Sequence, residues 1–245
     1  MRKKDLREKD DAVSPVIALM LILAILATCM AVYTTTYVPG LKQQDEITHT
    51  GEVKLAFERF ASDIDNVIAL GKPAVYTEVL ELGGGDVPLS PTKSSGTIEI
   101  NTTVIGNYTV DSETKDLNGI EISYTPSFTA WEKQGYVYQN GVVWITKEEK
   151  VTPAELKLYT IQNGTDRQNE TLQKWYPAPS GTVIIPQFTV DENKTEITGT
   201  STAKLRLNAT LDETETEDVT VTLTTDGTPK DYSKIRWLNI EVSVE

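Results

Sequence analysis

The chain offers few side chains for catalysis or metal binding. Its 245 residues include one cysteine, Cys29, and one histidine, His49. A single cysteine forms neither an intrachain disulfide nor a cysteine-based zinc site, and a single histidine excludes a multi-histidine metal site. Any Ser-His or Cys-His catalysis would have to use His49. The composition therefore disfavours an enzyme, and we expect His49 to be a solvated surface residue rather than a ligand or base.

The carboxylate groups and the glycine-rich segment also do not match a known type of catalytic, phosphate-binding or metal site. Asp63 and Asp65 lie two positions apart on a predicted helix and face different directions, which argues against a carboxylate dyad. The segment 82–86 lacks the Lys-Ser/Thr of a phosphate loop and is interpreted as a linker or turn. The acidic run 212–218 could recruit Ca²⁺, but its spacing matches no EF-hand, so we favour a solvated loop. The sequence predicts no catalytic residue, no cofactor and no metal site.

Charge divides the chain into three parts. Residues 1–11 hold five basic and four acidic side chains, residues 12–41 hold none, and residues 42–245 hold 18 basic and 32 acidic ones. A strongly acidic part of this size repels phosphate backbones, so we expect no nucleic-acid partner.

The uncharged part contains an almost wholly aliphatic run, residues 16–32. A helix of about 20 apolar residues crosses a ~30 Å hydrocarbon core, and we expect a transmembrane helix over 13–38. Ser14-Pro15 is a typical helix start, and Pro39-Gly40 is expected to interrupt the helix.

Basic residues precede this helix and set its orientation. They are Arg2, Lys3, Lys4, Arg7 and Lys9. The positive-inside rule places this short arm in the cytoplasm, so we expect a single-pass protein of the cell membrane whose acidic part is extracellular. A cleavable secretory signal and an imperfect lipoprotein box at 26–29 are the alternatives.

A second, amphipathic helix is predicted over residues 39–72. Its apolar residues recur at spacings of 4, 3, 4 and 3, and Gly71 with Pro73 ends it. We call these residues the apolar seam: Val53, Phe57, Phe60, Ile64 and Val67. The seam either packs on the chain's own β domain or forms a helix–helix contact between neighbouring copies, and different parts of it could do both.

Beyond a linker at 73–96, the pattern changes to the period of two that is typical of strands. We predict an antiparallel β-sandwich over 97–245, or two small β modules divided near 146–153. Asn140-Gly141 indicates a type I′ hairpin turn. The predicted strands are 97–103, 120–124, 136–139, 142–146, 156–162, 182–190, 204–211, 219–225 and 235–244.

Six Asn-x-Ser/Thr triplets, all beyond the apolar helix, are candidates for N-glycosylation. They begin at Asn101, Asn107, Asn163, Asn169, Asn193 and Asn208. A threonine-rich β protein would contain some of these triplets by composition alone, and glycosylation is the interpretation that we favour.

The segment 12–17 (AVSPVI), followed by an aliphatic helix, resembles the N-terminal segment of archaeal type IV pilins. The segment 37–39 (YVP), the helix that contains 63–65 (DID) and the transition over 82–97 resemble the larger members with a β ectodomain. The resemblance covers roughly residues 10–100, and its first 25 residues are the specific part.

This resemblance implies recognition by a prepilin peptidase, which would remove the leader, residues 1–12, by cutting between Ala12 and Val13. It also implies a helix that lies in the membrane before assembly and in a filament core afterwards, packed against copies of itself or other pilins. We therefore expect an α+β structural subunit of a surface filament, with a glycosylated β domain displayed for adhesion. The alternative is a single-pass surface glycoprotein or adhesion module that does not polymerise.

Overall fold

The computed structural model describes residues 5–84, 87–88, 90, 92–147, 150–154 and 164–245, with side chains from Pro15 onward. The fold is α+β: one long N-terminal helix joins a β domain whose strands are mostly antiparallel.

The N-terminal helix is continuous from Asp5 to Leu70. It comprises α1 (Asp5–Val32), a π-helical turn (Tyr33–Tyr37) and α2 (Val38–Leu70). The interruption expected at Pro39-Gly40 is absent, because the π turn precedes the proline. Within it the Val38 N–H donates to the Tyr33 carbonyl, so the helix is already wound more widely where Pro39 follows in the first turn of α2.

The two ends of this helix differ in how well the sequence predicted them. The backbone is helical from Asp5, so Pro15 lies inside α1 and Ser14-Pro15 is not the start. At the other end α2 stops where predicted. Gly71 adopts a left-handed conformation with φ of 57°, and its N–H donates to Val67 O at 2.9 Å.

The described strands form one 11-stranded sheet. Hydrogen bonds order them β1-β9-β11-β10-β2-β3-β4-β5-β6, with β7 beside β11 and β8 beside β2. The pair β7–β11 is parallel, and the other pairs are antiparallel. The bounds are β1 Ala74–Glu81, β2 Ser95–Val110, β3 Glu113–Ser127, β4 Gln134–Gln139, β5 Val142–Lys147, β6 Lys150–Pro153, β7 Thr182–Val190, β8 Glu196–Gly199, β9 Thr202–Leu211, β10 Thr216–Leu223 and β11 Pro229–Val244, with helix α3 at Gly164–Trp175.

Most of the predicted strands appear: 182–190 has the predicted bounds, 219–225 is shifted toward the N-terminus, and the other described ones are longer than predicted. β1 lies within the segment interpreted as a linker, and β6, β8 and α3 were not predicted. The strand predicted at 156–162 lies outside the described residues. The expected boundary between two β modules, near 146–153, falls on β5 and β6, which are antiparallel neighbours in the same sheet. Asn140 and Gly141 both have positive φ between β4 and β5, as the hairpin prediction requires.

Helix α2 lies against both ends of the sheet. It contacts β1 and β9 near one end of the strand order and β4 and β5 near the other, so the sheet curves around it. β7 also lies close to β2 and β3. Every residue of the apolar seam is at most 1 % exposed and belongs to the main hydrophobic core. The seam therefore holds α2 to this chain's own sheet, and α1 projects beyond it.

Candidate functional site

The side chains of α1 from Pro15 to Val32 are all exposed. The large apolar ones are 49 to 65 % exposed, and they are Val16, Ile17, Leu19, Met20, Leu21, Ile22, Leu23, Ile25, Leu26, Met30 and Val32. Cys29 is exposed among them. Among the described residues, the helix Pro15–Leu70 is long and apolar enough to be a candidate membrane span, and none of its most apolar window is buried. An apolar surface of this length needs a covering, and none of the residues that the structure describes provides it.

The π turn lies between this exposed half and the buried half of the helix. Tyr33 and Tyr37 stack across it, with ring centroids 6.2 Å apart and planes 9° from parallel. Thr34 and Thr35 donate their hydroxyl protons to the carbonyls of Met30 and Ala31 at 3.0 and 2.7 Å. Side-chain oxygens thus bond to the backbone where the helix changes its hydrogen-bond register.

Three polar side chains of α2 are buried one after another beyond the π turn. We call Lys42, Glu46 and His49 the polar clamp; they are 4 %, 0 % and 2 % exposed. Their spacings of 4 and 3 place them on the same face as the apolar seam. Burying an ionisable group is unfavourable unless it is hydrogen-bonded. The hydrogen-bond partners of these three side chains therefore decide whether this face of α2 binds the β domain.

Glu46 binds the segment that follows β3. Its Oε1 accepts hydrogen bonds from the Thr129 N–H at 3.0 Å and from the Ser94 hydroxyl, and its Oε2 accepts from the Ala130 N–H at 2.9 Å. Burial by itself would raise the pKa of Glu46, but these bonds to the ionised carboxylate outweigh it and hold the pKa below its usual value. The carboxylate is therefore charged at neutral pH and joins α2 to two separate segments.

Lys42 and His49 hold the segment between β1 and β2. Lys42 Nζ donates to the Thr92 carbonyl at 2.7 Å and to its hydroxyl at 2.8 Å. His49 Nε2 lies 3.0 Å from Tyr124 Oη, which in turn lies 3.0 Å from the Leu82 carbonyl. The expectation that His49 is a solvated surface residue is wrong, because β3 and the segment after β1 enclose it.

The glycine-rich segment explains how a loop can approach the helix this closely. A Cβ on Gly84 would lie 2.7 Å from His49 Cβ and 2.9 Å from its Cγ. Only glycine fits this contact without displacing the imidazole. Gly84 therefore does more than form a turn, since its lack of a side chain lets the backbone approach His49.

The polar clamp could have been found from the sequence. Counting backward from Val53 in steps of 4, 3 and 4 gives His49, Glu46 and Lys42. A search for apolar periodicity stops at Val53, because those three positions are polar. The helical spacing of the apolar seam continues without a break through His49, Glu46 and Lys42, and this continuity indicates that the polar residues share the buried face. A search that considers only hydrophobic residues misses it.

The other candidate positions are spread over the domain surface. Among the glycosylation candidates, Asn101, Asn107 and Asn193 are exposed, Asn169 and Asn208 are half-buried, and Asn163 lies outside the described residues. Ala12 and Val13 lie in the helical backbone of α1, and their side chains are not described.

The acidic groups singled out in the sequence make contacts of their own. In the run 212–218, Glu215 and Glu217 both pair with Lys234, at 3.1 and 3.3 Å. Asp65 Oδ1 accepts a hydrogen bond from Trp175 Nε1 at 3.1 Å, which ties α2 to the end of α3.

One group of metal-ligating type occurs among the described residues. A ring nitrogen of His49 and one carboxylate oxygen each of Glu52 and Glu81 lie within 4.8 Å of one another. Two clefts, of about 580 and 190 Å³, share these three residues in their walls. Glu52 comes from α2 and Glu81 from the end of β1, so the group bridges helix and sheet.

Comparison with protein-family models, with curated proteins and with solved structures finds no match to this chain.

Proposed function

We propose that the protein is the structural subunit of a pilus-like surface filament, held together by the exposed apolar half of its N-terminal helix. The observation that carries this proposal is the contrast within one continuous helix. Among the described residues, nothing covers its half from Pro15 to Val32, whereas the face of α2 that carries the apolar seam is buried against the chain's own sheet. Side-by-side packing of many such helices would remove the apolar half from water. Before assembly, the same half would span the membrane with the β domain outside.

The β domain fits display on the outside of such a filament. We take the curved sheet, with β7 lying against β2 and β3, to be the sandwich-like body expected from the sequence. Three glycosylation candidates, Asn101, Asn107 and Asn193, are on its exposed surface. An acidic, glycosylated surface would keep a filament soluble and leave the domain free for adhesion. In this role the protein acts by packing and display and carries out no reaction.

Processing of the leader tests the proposal against a surface protein that never polymerises. N-terminal sequencing and intact mass of the mature surface protein should show a start at Val13. Replacing Ala12 should leave the leader attached and abolish filaments while near-UV circular dichroism of the β domain is unchanged. Retention of Met1 in the mature protein, or normal filaments from the Ala12 variant, would contradict the filament role.

A substitution within the apolar half tests the packing itself. We expect Leu19→Gln to reduce or abolish filaments while the protein still fractionates with membranes, because one amide is tolerated in a long apolar helix but not in a closely packed core. Val104→Gln is the matched control, since both side chains are 59 % exposed and Val104 lies on β2 of the domain. Equal filament yields from both variants would argue that α1 does not form the filament core.

A further inference from the structure

The hydrogen-bond network around His49 favours one tautomer of its imidazole. Tyr124 has one hydroxyl proton, and the Leu82 carbonyl, 3.0 Å away, can only accept it. With that proton donated to Leu82, Tyr124 Oη accepts from His49 Nε2 across the 3.0 Å that separates them. We therefore assign the proton to Nε2 and the lone pair to Nδ1.

That lone pair has no partner. His49 Nδ1 is buried and makes no hydrogen bond to any described residue, although the whole side chain is only 2 % exposed. A buried polar atom without a partner is unfavourable, and its presence in a folded structure calls for an explanation.

We propose that His49 Nδ1, Glu52 and Glu81 bind one divalent cation of the zinc class at the junction of α2 and β1. A ring nitrogen of His49 and one carboxylate oxygen each of Glu52 and Glu81 lie within 4.8 Å of one another, and ligand atoms around a tetrahedral zinc ion with bonds of about 2.1 Å are about 3.4 Å apart. Glu52 and Glu81 are both exposed, so rotation of their side chains can bring the carboxylates closer to the imidazole. Two carboxylates balance the charge of the ion, and the adjoining clefts leave a position for water.

The ligand set selects the kind of cation. An imidazole nitrogen suits zinc and its first-row neighbours, whereas Ca²⁺ and Mg²⁺ prefer a shell made of oxygen. The hydrogen bond from Nε2–H to Tyr124 is the kind of outer contact that fixes the orientation of a metal-bound histidine. Because Glu52 lies on α2 and Glu81 ends β1, the bound ion would tie the helix to the edge of the sheet.

Calorimetric titration of the full-length, untagged, metal-stripped protein in detergent micelles tests the site. Zn²⁺ should bind with one saturable site, and Ca²⁺ at the same concentration should not. Glu52→Gln and Glu81→Gln should each weaken Zn²⁺ binding at least about 10-fold. Both side chains are exposed, so both variants are expected to fold.

Asp45→Asn is the matched control. Asp45 lines the larger cleft and contributes to the charge around His49, but it is not one of the three ligands. If coordination holds the ion, Asp45→Asn weakens binding less than about 3-fold, in contrast to the loss expected on removing a ligand. Equal weakening by all three variants, or the absence of a saturable site, would overturn the proposal.

The single histidine gives a direct spectroscopic test of its own role. In ¹⁵N spectra of the wild-type protein, Nδ1 should resonate as an unprotonated nitrogen and shift on addition of Zn²⁺ but not of Ca²⁺. This readout needs no substitution at His49, whose burial makes variants prone to misfolding. A Zn²⁺-bound protein with an unchanged Nδ1 resonance would overturn the assignment. The site lies in the β-domain junction, so either result is independent of whether the protein forms filaments.

Discussion

At the scale of single residues, the polar clamp shows how charged groups can specify a join between helix and sheet. Glu46 is fully buried, yet both of its oxygens accept hydrogen bonds. Its neighbour on the same face, Lys42, donates to the Thr92 carbonyl and hydroxyl. A purely apolar face could slide along the sheet, whereas these bonds have direction and fix the position of α2 along its axis.

Removing the charge of Glu46 should destabilise the β domain. The Glu46→Gln amide has one NH₂ group, which cannot accept a hydrogen bond. In either orientation this NH₂ faces a backbone donor, the Ala130 N–H on one side or the Thr129 N–H beside the Ser94 hydroxyl on the other. We expect a loss of about 2–3 kcal/mol in the free energy of unfolding, measured by denaturant titration of the full-length protein in detergent. Asp45→Asn, an exposed position on the adjacent face, should change it by less than about 0.5 kcal/mol. A Gln variant as stable as wild type would show that these bonds contribute little.

His49 should make stability depend on pH in a defined window. Burial holds its folded-state pKa below the ordinary value of 6.5, so between that value and the folded pKa the unfolded chain binds more protons. The contribution of neutral His49 to the free energy of unfolding is fully present above about pH 6.5 and decreases as the pH falls below that value. Its total loss is about 1.4 kcal/mol for each unit by which the pKa of His49 is lower in the folded than in the unfolded state. Unfolding midpoints measured from pH 7.5 to 5 should show this fall. A phenylalanine or glutamine at position 49 that folds should lose this part of the pH dependence, and an identical profile would refute the role of His49.

At the scale of elements, α2 combines a polar and an apolar segment on one face. The polar clamp and the apolar seam together run from Lys42 to Val67, over about 40 Å of helix. The sheet curves to meet this face with strands from both ends of its order. The helix is therefore the central packing element of the domain as well as its connection to α1.

Truncating the apolar seam should be much more harmful than truncating the opposite face. Phe57 is 1 % exposed and lies 6.1 Å, centroid to centroid, from the ring of Tyr136, so Phe57→Ala should cost about 3–5 kcal/mol. Leu55, 51 % exposed on the same helix, is the control, and Leu55→Ala should cost less than about 1 kcal/mol. Denaturant unfolding followed by the near-UV signal of the buried tyrosines distinguishes the two. Comparable losses would mean that both faces of α2 are packed in the protein as purified.

The elements that the sequence predicted well are those with a local signal. The apolar seam follows from helical spacing, and the β4–β5 hairpin follows from Asn140-Gly141. Helix α3 was missed because only two large apolar residues, Leu172 and Trp175, mark its buried face. β1 was missed because it follows α2 almost directly, in a segment rich in glycine and proline. The pairing of β1 with β9, more than a hundred residues later, has no local signal at all.

The candidate site was largely hidden for a related reason. His49, Glu52 and Glu81 come together through the packing of α2 beside the end of β1. The separation of the two helical residues predicts a shared face, but nothing in the sequence near Glu81 indicates which helix it meets. The tautomer of His49 depends further on Tyr124, a residue of β3.

At the scale of the whole molecule, an apolar helix half and an acidic β domain are joined without a flexible linker. The backbone is helical from Asp5 to Leu70, and the polar clamp starts within the second turn of α2. Hydrogen bonds and packing fix the orientation of the domain relative to α2, and the π turn connects α2 to the exposed apolar half. Copies that pack through α1 would then carry their β domains at one defined angle.

If the protein is glycosylated as proposed, accessibility on the folded surface should determine which candidate asparagines carry glycans. Asn193 lies exposed in a turn between β7 and β8, whereas Asn208 is half-buried on β9 between β1 and β11. If glycans are attached to the folded domain, glycopeptide mass spectrometry should find high occupancy at Asn193 and little at Asn208. The reverse order would indicate attachment before the sheet forms.

The continuous helix also determines how a pulling load on the β domain reaches the base of the protein. The β domain is packed along the length of α2, and no flexible linker separates α2 from α1. A pulling force on the domain therefore acts parallel to α2 and shears the contacts of the polar clamp and the apolar seam. Many bonds arranged side by side share such a load, so slippage requires their simultaneous failure. We expect the π turn, where the helix changes its hydrogen-bond register and threonine hydroxyls bond to its carbonyls, to be the most extensible part of the helix. Mechanical compliance would then be concentrated in the five residues between α1 and α2.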